Sequence, residues 1–198
     1  WKSVNDSLSS RLSEYPLTTE LGCKVRYAHG RSLFKRNQVT NAAAVLVPVG
    51  KQCAELDGIS GPKALYVAGK SLERQKEWAQ AAQAYEHYAK AFSKHDDAPK
   101  AMFEAGRLYE KLGDIKQQRR IYKKFIATFK SRDGEDVRVL DATLRLAKIA
   151  KSAKRRGTSK KLLKKVVSEF KRRQLQPATP AADIAAEASF LLLEPKVK

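Results

Sequence analysis

A lysine, an aromatic residue and a second cation recur at fixed spacing in three segments of the chain. The aromatic residue follows the lysine by three positions, and the second cation follows by four more, so all three lie on one face of an α-helix. These residues, with one cation from a fourth segment, are Lys24, Tyr27, Arg31, Lys63, Tyr66, Lys70, Lys100, Phe103, Arg107 and Lys148. Cations beside rings predict a surface that binds carboxylates and packs other side chains on the aromatic faces. The alternative is a solvated helix face whose aromatic side chains are buried.

A second basic set lies in the other half of the chain. Residues 1–99 carry 14 basic and 10 acidic residues, and residues 100–198 carry 26 and 11, within a formal net charge of +19. The set comprises Lys116, Arg119, Arg120, Lys123, Lys124, Lys154, Arg155, Arg156, Lys160, Lys161, Lys164, Lys165, Lys171, Arg172 and Arg173. The positive field of these residues attracts acidic proteins, anionic lipid, glycan or nucleic acid. The alternative is that the charges only keep a helical surface solvated. No nucleic-acid-binding motif accompanies it, so nucleic acid is a minor expectation.

Residues for catalysis or metal binding are sparse. The three histidines, His29, His87 and His95, are too few and too scattered to predict a metal site. We expect His29 to be a core residue and His95 to lie in a loop. The chain contains no P-loop, no G-x-S-x-G and no Rossmann glycine pattern,. We therefore expect no enzyme activity, no catalytic residue, no metal and no cofactor in this chain.

The elements that position these residues form a repeat. Gly30, Gly69 and Gly106 each follow a similar helical phrase and lie 39 and 37 residues apart, and a fourth copy has Ala147 at this position, 41 residues later. Each copy fits two antiparallel helices, with the glycine allowing the second helix to approach closely. Buried stripes at helical spacing follow on the second helices. Their members are Leu46, Tyr85, Tyr122 and Leu163, then Val49, Tyr88, Phe125 and Val166.

Turn and capping residues set the expected helix boundaries. Asn37 and Gly113 suit a left-handed turn residue, Lys76 departs from that pattern, and the late Gly157 predicts a longer turn in the fourth copy. Asp114 is expected to be an N-cap. We predict one domain over 1–198 with an N-terminal helix in 1–16, helix pairs over 19–56, 61–93, 99–130 and 136–173, and a last helix over 181–194.

The two cysteines fall at matching ends of the first helix pair. Cys23 begins the first helix and Cys53 ends its antiparallel mate, so the two side chains should lie beside each other, as a disulfide requires. Two separate buried thiols are the alternative. The register favours the disulfide.

The repeat resembles a known class. The phrases Ala68-Gly69…Trp78-Ala-Gln-Ala81…Tyr85 and Ala105-Gly106-Arg-Leu-Tyr109-Glu-Lys-Leu-Gly-Asp114 are similar to tetratricopeptide repeats, although the period of about 34 residues in that family is shorter,. The resemblance implies an all-α, right-handed superhelix of antiparallel helix pairs. It also implies that the first helix of each pair lines a concave groove, and that the recurring cations and rings bind an acidic, extended protein partner there.

Two envelope families resemble parts of the chain more closely. Residues 94–194, with Asp97-Ala-Pro99, Phe170-Lys-Arg-Arg173 and Ala185-Ala-Glu-Ala-Ser-Phe-Leu-Leu-Leu-Glu-Pro195, resemble periplasmic tetratricopeptide proteins of bacterial gliding-motility machineries. Residues 21–113 resemble the superhelical, non-catalytic part of soluble lytic transglycosylases, whose catalytic Glu-Ser motif and methionine-rich stretch are missing here. Both imply a Gram-negative periplasm, a non-catalytic role for this part of the chain, and contact with peptidoglycan or an envelope assembly. The chain begins at Trp1, and we expect it to be part of a larger protein with no membrane span in this part.

Overall fold

The computed structural model describes residues 11–194, and these residues form α-helices and turns without a β-strand. A 3-10 turn at Leu12–Glu14 comes first. The helices are α1 (Glu20–Lys35), α2 (Val39–Gln52), α3 (Ser60–Arg74), α4 (Trp78–Ala91), α5 (Ala98–Lys111), α6 (Ile115–Phe129), α7 (Asp136–Ser152), α8 (Arg156–Arg172) and α9 (Pro180–Leu193). The predicted all-α class is confirmed. Most of the helix expected over 1–16 lies outside the described residues, and its described part forms only the 3-10 turn.

The chain divides into two compact units, Trp1–Gly113 and Asp114–Lys198. In the first, α2 packs against α1 and α3, and α4 packs against α3 and α5. In the second, α7 packs against α6, α8 and α9, and α9 also packs against α8. The unit boundary falls inside the pair expected over 99–130, so α5 and α6 belong to different units. The single domain over 1–198 stays a prediction.

The cores of both units contain the residues of the expected stripes. All eight members of the two stripes are buried, with no more than 4% of any residue exposed. In the first unit Leu46 and Val49 pack with the alanines of α3, and in the second Leu163 and Val166 pack with leucines of α7. The helical periodicity therefore identified which face of each second helix is buried.

Two of the repeated glycines meet the following helix at close range. A Cβ atom at Gly30 would lie 2.5 Å from Cγ of Leu46, and one at Gly69 would lie 2.6 Å from Cε1 of Tyr85. The predicted close approach is confirmed for both, whereas for Gly106, which is buried, it stays a prediction. Gly50 has the same role, since its Cβ would lie 2.3 Å from a carbon of Leu65.

Four turns of equal length connect α1 to α2, α3 to α4, α5 to α6 and α7 to α8. Each has three residues, and the middle one is left-handed: Asn37, Lys76, Gly113 and Lys154 have φ between 57° and 70°. The longer turn predicted from Gly157 is wrong. Lys154 takes the left-handed position, and the next N–H, that of Arg155, donates to the carbonyl of Ala150 at 2.8 Å and closes the helix end,.

Helix starts follow the expected chemistry. Asp114 is the N-cap of α6, where its carboxylate accepts a hydrogen bond of 3.0 Å from the backbone N–H of Gln117, as predicted,. Thr19 caps α1 through the N–H of Gly22. Proline occupies the first turn of α5 and of α9, where its missing N–H leaves no helical bond unmade,.

Candidate functional site

The cations of the recurring pattern lie on exposed positions of α1, α3 and α5 in the first unit. We call the nine residues on these helices the first-helix face: Lys24, Tyr27, Arg31, Lys63, Tyr66, Lys70, Lys100, Phe103 and Arg107. The two cations of each helix are seven residues apart, about 10 Å along the helix axis. All six are exposed. Each of these helices therefore presents a pair of positive charges to solvent.

On α1 the cations have partners within the helix. Lys24 forms an ion pair with Glu20, and hydrogen bonding to that carboxylate raises the pKa of the lysine. Tyr27 is half-buried against the core of the first unit. Burial raises the pKa of the Tyr27 hydroxyl, and the charge of Arg31 and its hydrogen bond to the phenol oppose that rise. The charge of Arg31 thus lies near the Tyr27 hydroxyl.

On α3 the second cation lies over an aromatic face. The ammonium of Lys70 is 4.5 Å from the centroid of the Tyr66 ring, within the range of a cation–π interaction,. Packing fixes the ring, because the Tyr66 centroid lies 5.8 Å from that of Tyr85 and 5.4 Å from that of Tyr88. Lys63, at the start of the helix, is exposed and forms no ion pair with a described residue.

On α5 the aromatic member is not available to a ligand. Phe103 is 7% exposed, so the expectation that it offers a ring on this face is wrong. Phe103 is one of nine buried residues among the 14 of α5, as in the alternative in which the aromatic side chains are buried. Both flanking cations are exposed, and Arg107 pairs with Glu104 at 3.1 Å.

Lys148 belongs to α7 in the second unit. It is exposed, and its ammonium pairs with the carboxylate of Glu187 on α9. Lys148 is therefore already paired with a carboxylate of its own unit.

A cluster that the sequence pattern did not indicate joins α3, α4 and α5. The ammonium of Lys111 lies 4.5 Å from the ring centroid of Trp78 and 4.0 Å from a carboxylate oxygen of Glu73. The Tyr85 hydroxyl donates to the other oxygen of Glu73 at 3.2 Å. Burial, then the charge of Glu73, raises the pKa of the Tyr85 phenol. Tyr85 belongs to one of the recurring stripes, but the repeat does not indicate that Glu73, Trp78 and Lys111 meet beside it.

The structure joins Cys23 and Cys53 in a disulfide with a Cα–Cα distance of 5.7 Å. Both residues are fully buried, at the start of α1 and just after the end of α2. The bond therefore links the two ends that the antiparallel register brings together.

The histidines have structural surroundings. His29 is buried in the first unit, as expected for a core residue. His95 lies in the connection between α4 and α5, where its Nδ1 is 2.7 Å from the hydroxyl oxygen of Tyr88. His87 is exposed. Over residues 11–194 no group of three or more His, Cys, Asp or Glu residues is arranged to hold a metal ion.

Two repeats of the chain match a family model. Residues 63–95 and 100–131 match the tetratricopeptide repeat. Repeats of this type build extended binding surfaces and are typical of non-catalytic protein-interaction scaffolds. No curated protein matches the chain in sequence.

Solved structures share the fold at low sequence identity. The TPR-like repeats of a candidate kinesin light chain from Podosopora anserina superpose with a TM-score of 0.55 at 16% identity, covering 87% of this chain and 86% of that one. BtubC (BKLC) from P. vanneervenii superposes with a TM-score of 0.53 at 14% identity, covering 98% of this chain and 86% of that one. The chain therefore has an all-helical, TPR-like fold. None of its described helices is both long and apolar enough to cross a bilayer.

Proposed function

We propose that the chain is a non-catalytic protein-interaction scaffold that binds an acidic, extended partner along the first-helix face. The observation that carries the proposal is the set of six exposed cations, two on each of α1, α3 and α5 at the same helical spacing. An extended acidic segment could place successive carboxylates against successive helices. Each contact would be a charge-assisted hydrogen bond.

Local pairing does not prevent such binding. Lys24 and Arg107 pair with carboxylates of their own helices at the surface, where solvent screens the attraction, so these pairs contribute little to stability,. A partner carboxylate can replace them at little cost. Lys70 is held over the Tyr66 ring, which reduces the side-chain entropy that this lysine loses on binding. Lys63 and Lys100, near the starts of α3 and α5, are exposed.

The test uses a labelled, extended polyglutamate peptide as probe. Changing Arg31, Lys70 and Arg107 together to alanine should weaken binding at least tenfold, because each exposed contact contributes about 0.5–1.5 kcal/mol. Binding by the unchanged protein should weaken as salt is raised. Circular dichroism should show unchanged helicity.

The matched control removes three charges from α8 instead, by changing Lys160, Lys161 and Lys164 to alanine. This triple variant should bind the probe nearly as well as the unchanged protein. If it loses binding while the first-helix variant binds normally, the first-helix face is not the site. The partner, or anionic lipid, would then bind a diffuse basic surface.

The cellular setting is also a proposal: a periplasmic envelope assembly of a Gram-negative bacterium, of gliding-motility type. The sequence resemblance over residues 94–194 supports it, and a disulfide is typical of oxidising compartments,. Non-reducing mass spectrometry of protein isolated from a periplasmic fraction should detect the bonded pair. Recovery in the cytoplasmic fraction with two alkylatable thiols would contradict this setting.

The alternative function is the helper region of a lytic transglycosylase that contacts peptidoglycan, favoured by the resemblance over residues 21–113. The gene sequence after Lys198 discriminates between the two. Further helical repeats support the assembly scaffold, whereas a Glu-Ser motif followed by a methionine-rich stretch supports the transglycosylase.

A further inference from the structure

A groove runs between α6 and α8 over α7 in the second unit, and we call it the α6/α8 groove. It consists of two pockets of about 490 Å³ and about 280 Å³ that share Ile126, Thr143 and Lys165. Along α7 the lining extends from Val139 to Ala153, the residue after the helix, about 21 Å at the helical rise. The groove is thus as long as four turns of helix.

The charged residues that line the larger pocket form internal ion pairs. Arg173 donates a 3.0 Å hydrogen bond to the carbonyl oxygen of Lys130 after α6, and it also pairs with Asp136 at the start of α7 and with Glu169 on α8. Glu169 pairs with Arg172 as well, and that hydrogen bond lowers the pKa of the carboxyl group. Glu169, the acidic residue of this lining, is therefore already paired with two arginines.

The smaller pocket has a cationic rim and an apolar floor. We call the two sides of this pocket its banks. Arg119 and Lys123 of α6 lie on one bank, and Arg155, just before α8, and Lys165 of α8 lie on the other. Its lining contains no acidic residue. No ion pair joins Arg119, Lys123 or Arg155 to a carboxylate among residues 11–194, whereas the charge of Lys165 helps to lower the pKa of the Glu169 carboxyl group. The apolar part of the lining consists of Ile126, Leu146, Ile149, Ala150, Ala153 and Leu162.

Charge and shape together restrict the ligand. Cations on both banks, with an apolar floor between them, match a rod that is apolar along one side and acidic along both flanks. A bilayer would meet the outward lysines of α8 and leave the recessed floor unfilled. Nucleic acid has no apolar side along its backbone to cover the floor. A second copy of this chain, with its net charge of +19, would be repelled,.

The second unit already holds an acidic helix that packs through apolar residues. α9 contains two acidic residues and no lysine or arginine. It packs against α7 and α8 through apolar residues, including Ile184 and Leu191. Glu187 and, just after the helix, Glu194 pair with Lys148 and Lys151 of α7. The α7/α8 pair thus accepts an acidic, apolar helix at one of its surfaces.

We propose that the α6/α8 groove is a docking site for an acidic amphipathic helix of a partner protein. The helix would place leucine-like side chains at i, i+3, i+4 and i+7 on the floor and carboxylates against both banks. This site shares no residue with the first-helix face, so either proposal can fail without the other.

The experiment measures binding of a fluorescein-labelled helical peptide of about 15 residues, long enough to fill the groove. It carries leucines at the spacing above and glutamates on both flanks, and anisotropy is recorded with the full chain at fixed salt. Changing Lys123 and Arg155 together to glutamine should weaken binding at least tenfold. The matched control changes Lys160 and Lys164 to glutamine, which removes the same charge from α8 outside the lining, and it should weaken binding less than threefold.

A second peptide, with serine in place of each leucine, separates docking from general attraction. It should bind at least tenfold more weakly than the leucine peptide. Absence of leucine-peptide binding, equal losses in the two double variants, or equal binding of the two peptides would overturn the proposal. Phosphatidylserine vesicles that bind the unchanged chain, and lose binding in the Lys123/Arg155 variant, would instead identify the groove as a lipid site.

Discussion

The imidazole of His29 lies inside the first unit, where 4% of the residue is exposed. Its Nδ1 atom has no hydrogen-bond partner among the described residues. Burial lowers the pKa of this imidazole, and the positive charge of Arg26 lowers it further. A buried base in these surroundings favours the neutral form.

This predicts a stability that depends on pH. Because the pKa is lower in the folded chain than the ordinary value of about 6.5, the unfolded state binds the proton more readily. The His29 contribution is therefore fully present above that value and is lost as pH falls below it. Chemical denaturation between pH 7 and pH 5 should show this decrease. It should shrink in His29→Gln and persist in His87→Gln, whose histidine is exposed. An unchanged decrease in the His29 variant would contradict the assignment.

Close helix contact at glycine gives a second prediction. In Gly69→Ala the new methyl group would lie 2.6 Å from the Tyr85 ring, which packs against the Tyr66 ring. Overpacking should lower the free energy of unfolding by about 1–3 kcal/mol. Gly157→Ala is the control, since a Cβ there meets nothing within 4 Å, and helix propensity should raise stability by up to about 1 kcal/mol. Equal effects in urea denaturation would exclude a steric role for Gly69.

Single-residue sites were predictable only where they recur. Gly30 and Gly69 stand out because the same position repeats, and their close approach follows from the spacing. Gly50 occupies no repeated position, and its neighbour Leu65 belongs to the next helix pair. The sequence left open whether the aromatic residues are exposed or buried: Phe103 is buried, whereas Tyr27 and Tyr66 are half-buried. Spacing gives the direction of a side chain and not its depth.

At the scale of elements, the three-residue turn between paired helices is the most uniform feature. The hydrogen bond that closes the helix end recurs with different middle residues: the N–H of Gln38 donates to Leu33, that of Glu77 to Leu72, and that of Arg155 to Ala150, at 2.8–2.9 Å. The helix ends therefore impose the left-handed conformation even on lysine. A prediction that identifies these turns from glycine or asparagine alone misses Lys76 and Lys154.

The turns predict opposite effects of glycine and alanine. Lys154→Gly should stabilise the chain by about 0.5–1 kcal/mol, because a left-handed residue with a Cβ costs about 1–2 kcal/mol and the flexibility of glycine in the unfolded chain offsets part of the gain,. Gly113→Ala should destabilise it by about 1 kcal/mol, since φ is 70° there and no atom crowds the site. Thermal unfolding of both variants measures the signs. A destabilised Lys154→Gly would mean that the lysine side chain itself stabilises the turn.

At the scale of the whole molecule, the repeat predicts the order of helices, their bounds to within a few residues and the buried stripes. The packing of one helix pair against the next is harder to predict from the sequence. The division at Gly113 and the α6/α8 groove depend on how neighbouring pairs pack. The basic residues of the second half were visible as charges, but their separation into a lined recess and an outward face required the structure.

The disulfide lies in one unit only, and this predicts an uneven response to reduction. Cys23 and Cys53 are 30 residues apart, and a closed loop of that size stabilises the folded state by about 3–4 kcal/mol. Hydrogen exchange after reduction, or in the Cys23→Ala/Cys53→Ala variant, should show faster exchange in α1 and α2. Exchange in α7 and α8 should stay near its original rate, because these helices belong to the other compact unit. Thiol reagents should not change exchange in the double variant, which is the control. An equal increase of exchange in α7 and α8 would show that the two units unfold together.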